Sequence, residues 1–233
     1  MLVADSFLVD DGRVRGLELH RERFVGSCAA RGVPAKGFWT EMMARLPRGG
    51  RWFPRVELAP GNDLGLRLRP APRTGGPVRV LRCDGDPRTC PGVKGPDLAL
   101  LAGLKARAAA AHGADEVLLT TRDGVVLEGA YSGLLWWEDG TVCVPPSGLP
   151  VLPSVTVRLL RRIAAERDVV VAERARQLAD LDGCEAWLVS ALHGIRPVSE
   201  WLPAGPLAGP VRRAPEWQLA LLAKAAPLPA ATP

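Results

Sequence analysis

The chain has 233 residues with 47% hydrophobic and 24% charged residues, which suits one large domain or two small ones sharing a core and excludes intrinsic disorder and fibrous architecture. Its net charge of +5 comes from scattered residues such as Arg13, Arg15, Arg21, Arg23 and Arg31. With no basic block and no aromatic–basic motif, nucleic acid is not an expected partner, and the modest positive field suits a small anionic substrate or a phosphorylated cofactor.

The five cysteines include no C-x-x-C pair, and the three histidines (His20, His112, His193) lie far apart without an H-E-x-x-H run. A disulfide framework, a zinc ribbon and a metal hydrolase are therefore not expected, and the thiols are expected free in a reducing cytoplasm. The start, MLVADSFLVDDGRVRG, does not read as a signal peptide, and no apolar run is long enough to span a membrane.

In chain order, residues 2–9 alternate as a strand, and Asp10-Asp11-Gly12 turns into a short second one. Leu17, His20, Phe24, Ser27 and Cys28 have helical spacing over 17–31, and a second helix covers 38–46. Strands follow at 52–58, 64–69 and 78–83, giving a small α+β unit over residues 1–85. Residues 86–95 read as an interdomain loop carrying Lys94. The larger unit, 96–233, opens with a helix from Pro96 to Gly113. Strands at 115–121, 125–128, 133–138 and 142–145 come next, with Asp123-Gly124 and Asp139-Gly140 as hairpin turns. A helix at 153–166, strands at 169–173, 185–190 and 195–198, and a helix at 215–224 complete the pattern.

Fingerprints for dinucleotide binding, phosphate loops and nucleophile elbows are absent. The informative residues are charges in costly places. Glu128 closes the apolar run Val125-Val126-Leu127 and is either a solvated strand end or a buried acid with a partner. Lys94 precedes a Gly-Pro helix start, so it is either a surface lysine or, if buried there, an amine of lowered pKa suited to covalent catalysis. Arg23 shares a helix face with His20 and Ser27. Thr156 stands at a helix start, where free N–H groups either bind phosphate or are capped locally by Ser154 or Thr156. Ser190–Gly194 is either a tight turn or a second set of anion-facing amides.

Taken together, these segments resemble the class IV (fold-type IV) aminotransferases and lyases, which use pyridoxal 5′-phosphate. The family's E-G-x-x-S-N stands as Glu128-Gly129-Ala130-Tyr131-Ser132-Gly133. Its P-P step is Pro145-Pro146, and its L-P-G-[IV]-T is Leu152-Pro153-Ser154-Val155-Thr156. Upstream, L-x-x-H-x-x-R-[LF]-x-x-S is Leu17, His20, Arg23, Phe24 and Ser27. The departures are Gly133 for asparagine, Ser154 for glycine, and Leu98 or Ala99 where an aromatic often follows the lysine.

The resemblance implies an α/β (α+β) fold like that of D-amino-acid aminotransferases, with a small N-terminal domain, a larger C-terminal domain and the cofactor in the cleft. Lys94 then matches the lysine that bonds the cofactor and moves protons. Glu128 matches the carboxylate facing the pyridine nitrogen, and Arg23 the arginine on the phosphate. Val155, Thr156, Ser190 and Ala191 match the remaining phosphate contacts. Arg55 and His193 are candidates for substrate carboxylates, with a structural ion pair as the alternative for Arg55.

Ser190 to Val198 is similar to the N-[AS]-L-x-G-[IV]-x-P-V run of 4-amino-4-deoxychorismate lyases, which release pyruvate and form 4-aminobenzoate for folate synthesis. The alternatives are an aminotransferase acting on D- or branched-chain L-amino acids and a non-catalytic relative. The family commonly forms homodimers.

Overall fold

The computed structural model describes residues 1–230. The first half contains β1 (Val3–Ser6), β2 (Val9–Asp10), β3 (Arg13–Arg15), α1 (Leu17–Ala29), α2 (Lys36–Ala44), β4 (Arg51–Trp52), β5 (Arg55–Leu58), β6 (Leu64–Arg67) and β7 (Val78–Arg82). Pro54 splits the expected strand at 52–58 into β4 and β5, because its nitrogen cannot donate to a ladder. The second half contains α3 (Leu98–His112), β8 (Glu116–Thr120), β9 (Val126–Gly129), β10 (Gly133–Glu138), β11 (Thr141–Val144), α4 (Val155–Glu166), β12 (Val171–Glu173), β13 (Ala186–Ser190), β14 (Gly194–Leu202), α5 (Ala214–Ala223) and β15 (Ala225–Pro227). A short 3-10 turn at Leu178–Leu181 and β15 have no counterpart in the sequence reading.

Three sheets result. One has the order β1-β5-β6, one β15-β3-β2-β4, and the large one β12-β11-β10-β13-β14-β7-β8-β9. The large sheet is mixed, with β14, β7 and β8 running parallel and the β10, β13 and β14 pairs antiparallel. β7, grouped by sequence with the N-terminal half, sits inside this sheet. β15 pairs with β3 and returns the end of the described chain to the N-terminal half.

Side-chain alternation along β10 puts consecutive tryptophans on opposite faces. Trp137 packs with Trp187 and Trp217 under α4 and α5, with ring centroids 5.3–5.7 Å apart. Trp136 joins Trp201 on the other face. Each such ring contributes about 4–6 kcal/mol of burial at ~25 cal/mol/Å². A separate core of Phe7, Phe24 and Trp39 fills the N-terminal half.

The first helix of the larger unit starts at Leu98, not Pro96. Asp97 takes the N-cap place, and its carboxylate turns back to Thr89 N, Thr89 Oγ1 and Cys90 N at 2.9–3.1 Å. Those bonds close the loop just ahead of the helix. No described helix is long and apolar enough to cross a membrane.

Candidate active site

A cavity of about 540 Å³ opens between the two halves. Every candidate residue lines it: Arg23, Arg55, Lys94, Glu128, Val155, Thr156, Ser190, Ala191 and His193. None of the seven tryptophans does.

Lys94 is held by its backbone. Ala4 N donates to Lys94 O at 2.6 Å. The next residue, Gly95, has φ +143°, and a Cβ there would strike the Val3–Ala4 backbone at 2.9 Å. Glycine is therefore required for the loop to dock on β1. The Nζ atom makes no hydrogen bond or ion pair with any described residue. Burial and the neighbouring Arg23 lower the amine to about 8, against opposing pull from Asp5 and Glu128. A substantial neutral fraction near physiological pH suits a nucleophile or a proton carrier.

Glu128, at the end of β9, is the buried acid and not a solvated strand end; it is 5% exposed. Its Oε1 accepts from Arg88 Nη1 at 2.5 Å and from Leu152 N at 2.7 Å. Its Oε2 has no partner among the described residues. Burial pushes the carboxyl upward, opposed mainly by Arg88. Arg88 is itself oriented by Asp86 at 2.8–3.1 Å. Sequence reasoning missed Arg88, since nothing in one sequence separates it from the other scattered arginines.

The same cavity is lined by Arg23 and by the start of α4. Arg23 on α1 is gripped by Asp5 of β1, Nε to Oδ2 at 2.8 Å and Nη2 to Oδ1 at 2.9 Å. His20, one turn earlier, meets the same carboxylate at 2.8 Å. Burial works against the Asp5 charge, but Arg23 and His20 outweigh it and hold the carboxyl well below its usual range. Asp5 was not among the sequence candidates.

α4 begins here at Val155. The Ser154 hydroxyl caps Val157 N at 3.4 Å, so the local-capping alternative is the one realised, through Ser154. Val155 N and Thr156 N have no acceptor among the described residues, as the first turn of a helix requires unless something outside it binds there. The turn between β13 and β14 adds Ser190 and Ala191, with the Ser190 hydroxyl accepting from His193 N at 3.2 Å.

The remaining wall carries further cations. Arg55 does form an ion pair, Nε to Glu57 at 3.0 Å, and Arg67 holds the other oxygen of Glu57 at 2.8 Å. Arg69, also missed by sequence, lines the same wall without a carboxylate partner. It donates to Phe53 O at 3.2 Å and lies over the Phe53 ring. Arg196 is held by Gly76 O at 2.8 Å. His193 accepts from Gly75 N through Nδ1 at 3.1 Å. Burial and the Arg196 charge lower His193 to about 4, so it faces the cavity as a neutral ring. Tyr131, the one tyrosine, lines the wall beside Leu98, its hydroxyl 3.3 Å from Leu98 O.

Residues 2–201 match the model of the family described as amino-transferase class IV. The chain belongs to that family. A curated relative from Mycobacterium tuberculosis, named a bifunctional aminodeoxychorismate lyase / D-amino acid transaminase, is 34% identical over 94 residues. That match covers 37% of this chain and 32% of the relative's length. A solved hypothetical aminotransferase from the same organism, in its PLP-bound form, superposes with a TM-score of 0.77 at 23% identity, covering 95% of this chain and 88% of the other. A putative 4-amino-4-deoxychorismate lyase from Legionella pneumophila gives 0.78 at 18% identity, with 95% and 90% covered. The class IV chain thus has the fold-type IV α/β architecture, with small N-terminal sheets and a large curled mixed sheet. Proteins named for transamination and for lysis share it, so the fold alone does not choose the reaction.

Proposed function

We propose that this class IV enzyme uses pyridoxal 5′-phosphate to release pyruvate from 4-amino-4-deoxychorismate and form 4-aminobenzoate. The observation carrying the proposal is an unpaired Lys94 amine in one cavity between the Glu128 carboxylate and the Arg23 anion seat. The residues present fit the cofactor. Two free helix-start amides and a guanidinium suit a phosphate dianion, and the unpartnered Oε2 of Glu128 suits a protonated ring nitrogen. When bound, the cofactor supplies a sink for the electron pair left at the amino-bearing carbon.

Lys94 would take the proton from that carbon; the electron pair left there would form the new ring double bond as the C–O bond to the enolpyruvyl group breaks, and the released enolpyruvate would take a proton on its methylene carbon to become pyruvate. Glu128, anchored by Arg88 and Leu152, would face the ring nitrogen with its unpartnered Oε2. Arg23, Val155, Thr156, Ser190 and Ala191 would hold the phosphate. The substrate's carboxylates face Arg69 and Arg196, which have no carboxylate partners, and Arg55 and His193 complete the rim.

The Ser190 to Val198 run and the name of the Mycobacterium relative support the lyase. Ser190, standing where the lyase run has asparagine, favours a second reading: an aminotransferase for D- or branched-chain L-amino acids, in which Lys94 returns the proton to the cofactor side instead. Purified protein given aminodeoxychorismate is expected to release pyruvate and 4-aminobenzoate. Turnover that requires a keto acid and yields an exchanged amino acid would establish the second reading in its place.

Lys94→Ala is expected to lower turnover by at least ~10²–10⁴-fold with an unchanged melting curve, and full activity in that variant would refute the role of the lysine. The proposal includes a cytoplasmic homodimer with sites near the interface, and a monomeric sedimentation coefficient for the active protein would count against it.

A further inference from the structure

The Ser190–Gly194 turn is anchored by its carbonyls. Arg15, at the end of β3, donates from Nη2 to Ala191 O at 2.7 Å and to Leu192 O at 3.4 Å. Gln218 of α5 donates to His193 O at 3.2 Å and accepts from Ile195 N at 2.7 Å. Gly194 has φ +71°, and a Cβ there would lie 2.4 Å from Gln218 Oε1 and 2.9 Å from Arg15 Nη1, so only glycine lets both side chains reach the turn. In a trans peptide the N–H points opposite to the C=O. Drawing Ala191 O toward Arg15 therefore aims Leu192 N–H the other way. Ala191 and Leu192 line the cavity, Arg15 does not, and neither amide has an acceptor among the described residues.

Arg15 is also a costly residue. It is 8% exposed and has no carboxylate within ion-pair distance among the described residues. Asp10, on the neighbouring strand, pairs instead with Arg51 at 3.5 Å. Carbonyl dipoles offset only part of the desolvation of a guanidinium. An anion on the far side of the turn would offset more.

We propose that Arg15 is a positioning residue for the phosphate of the cofactor: it turns the Leu192 amide into the cavity and adds a buried positive charge behind it. The proposal rests on the pyridoxal-phosphate reading. Its test compares pyridoxal 5′-phosphate with pyridoxal, which lacks only the phosphate, by absorbance titration of wild type and Arg15→Gln.

In wild type the phosphate ester binds more tightly. In Arg15→Gln its Kd rises ~10-fold or more while that of pyridoxal stays within about 2-fold. Equal losses for both ligands, or no loss for either, overturn the proposal, since a merely structural role would not discriminate between them. If Arg15→Gln does not fold, Gln218→Met removes the His193 anchor and carries the same comparison, with a smaller shift in the same direction expected and an unchanged ratio overturning it. A wild type that binds neither ligand refutes the cofactor reading itself, and this inference with it; a wild type that binds both with an unchanged ratio in the variant refutes only the inference.

Discussion

Lys94 and Asp5 show how neighbours decide what a side chain does. Lys94 sits near 8 because it is buried and faces Arg23. Only the neutral amine attacks an aldehyde, so the rate of cofactor uptake by the apoenzyme is expected to rise about tenfold per pH unit below about 8 and to level off above it. Stopped-flow absorbance at several pH values reads this directly, and a flat profile from pH 6 to 9 would contradict it. Asp5 is fully buried between two partners, Arg23 and His20. Asp5→Ala leaves a guanidinium uncompensated, at an expected cost of about 3–5 kcal/mol. It should also weaken cofactor binding. Urea unfolding of the apo form and a cofactor titration separate the two effects.

At the level of elements, the two motif departures face each other. Gly133 opens β10 and Ser154 caps α4, and a Cβ on Gly133 would lie 3.3–3.4 Å from the Ser154 side chain and 2.7 Å from Val157 Cγ2. The family pattern has a large residue at the first place and glycine at the second; here the sizes are reversed. The start of α4, whose Val155 and Thr156 line the cavity, can therefore still sit against the sheet. Gly133→Asn alone is expected to cost about 1–3 kcal/mol by overpacking and to weaken cofactor binding. Adding Ser154→Gly should recover part of both losses. Additive effects in the double variant would show that the two positions are not coupled. Tyr131 presents a similar exchange: the family pattern often has an aromatic after the lysine where this chain has Leu98 or Ala99, and Tyr131 puts an aromatic on the cavity wall beside Leu98.

For the molecule as a whole, the N-terminal half depends on the far end of the chain. β15 extends the sheet of β3, Leu228 enters the core of Phe7, Phe24 and Trp39, and Arg48 donates to Leu228 O at 2.8 Å. Leu228→Ala should therefore destabilise the protein by about 2–5 kcal/mol, although the residue lies far from the cavity in sequence. A denaturant midpoint close to that of wild type would mean the contact is dispensable. The same interleaving puts β7 inside the large sheet, between β14 and β8, where its Val78 lines the cavity.

Short-range physics made much of this legible in the sequence. Helical spacing marked α1, Asp-Gly pairs marked the hairpins, and the motifs carrying Lys94, Glu128, Arg23 and Thr156 stood in order along the chain. Arg88, Asp5, Arg69 and Arg15 carried no such mark, because their roles arise from partners 15 to 177 residues away or from having no carboxylate partner at all. A charged side chain read in sequence is by default a solvated one. Only the folded arrangement, by removing water and supplying particular dipoles, decided which of the chain's many arginines hold the site.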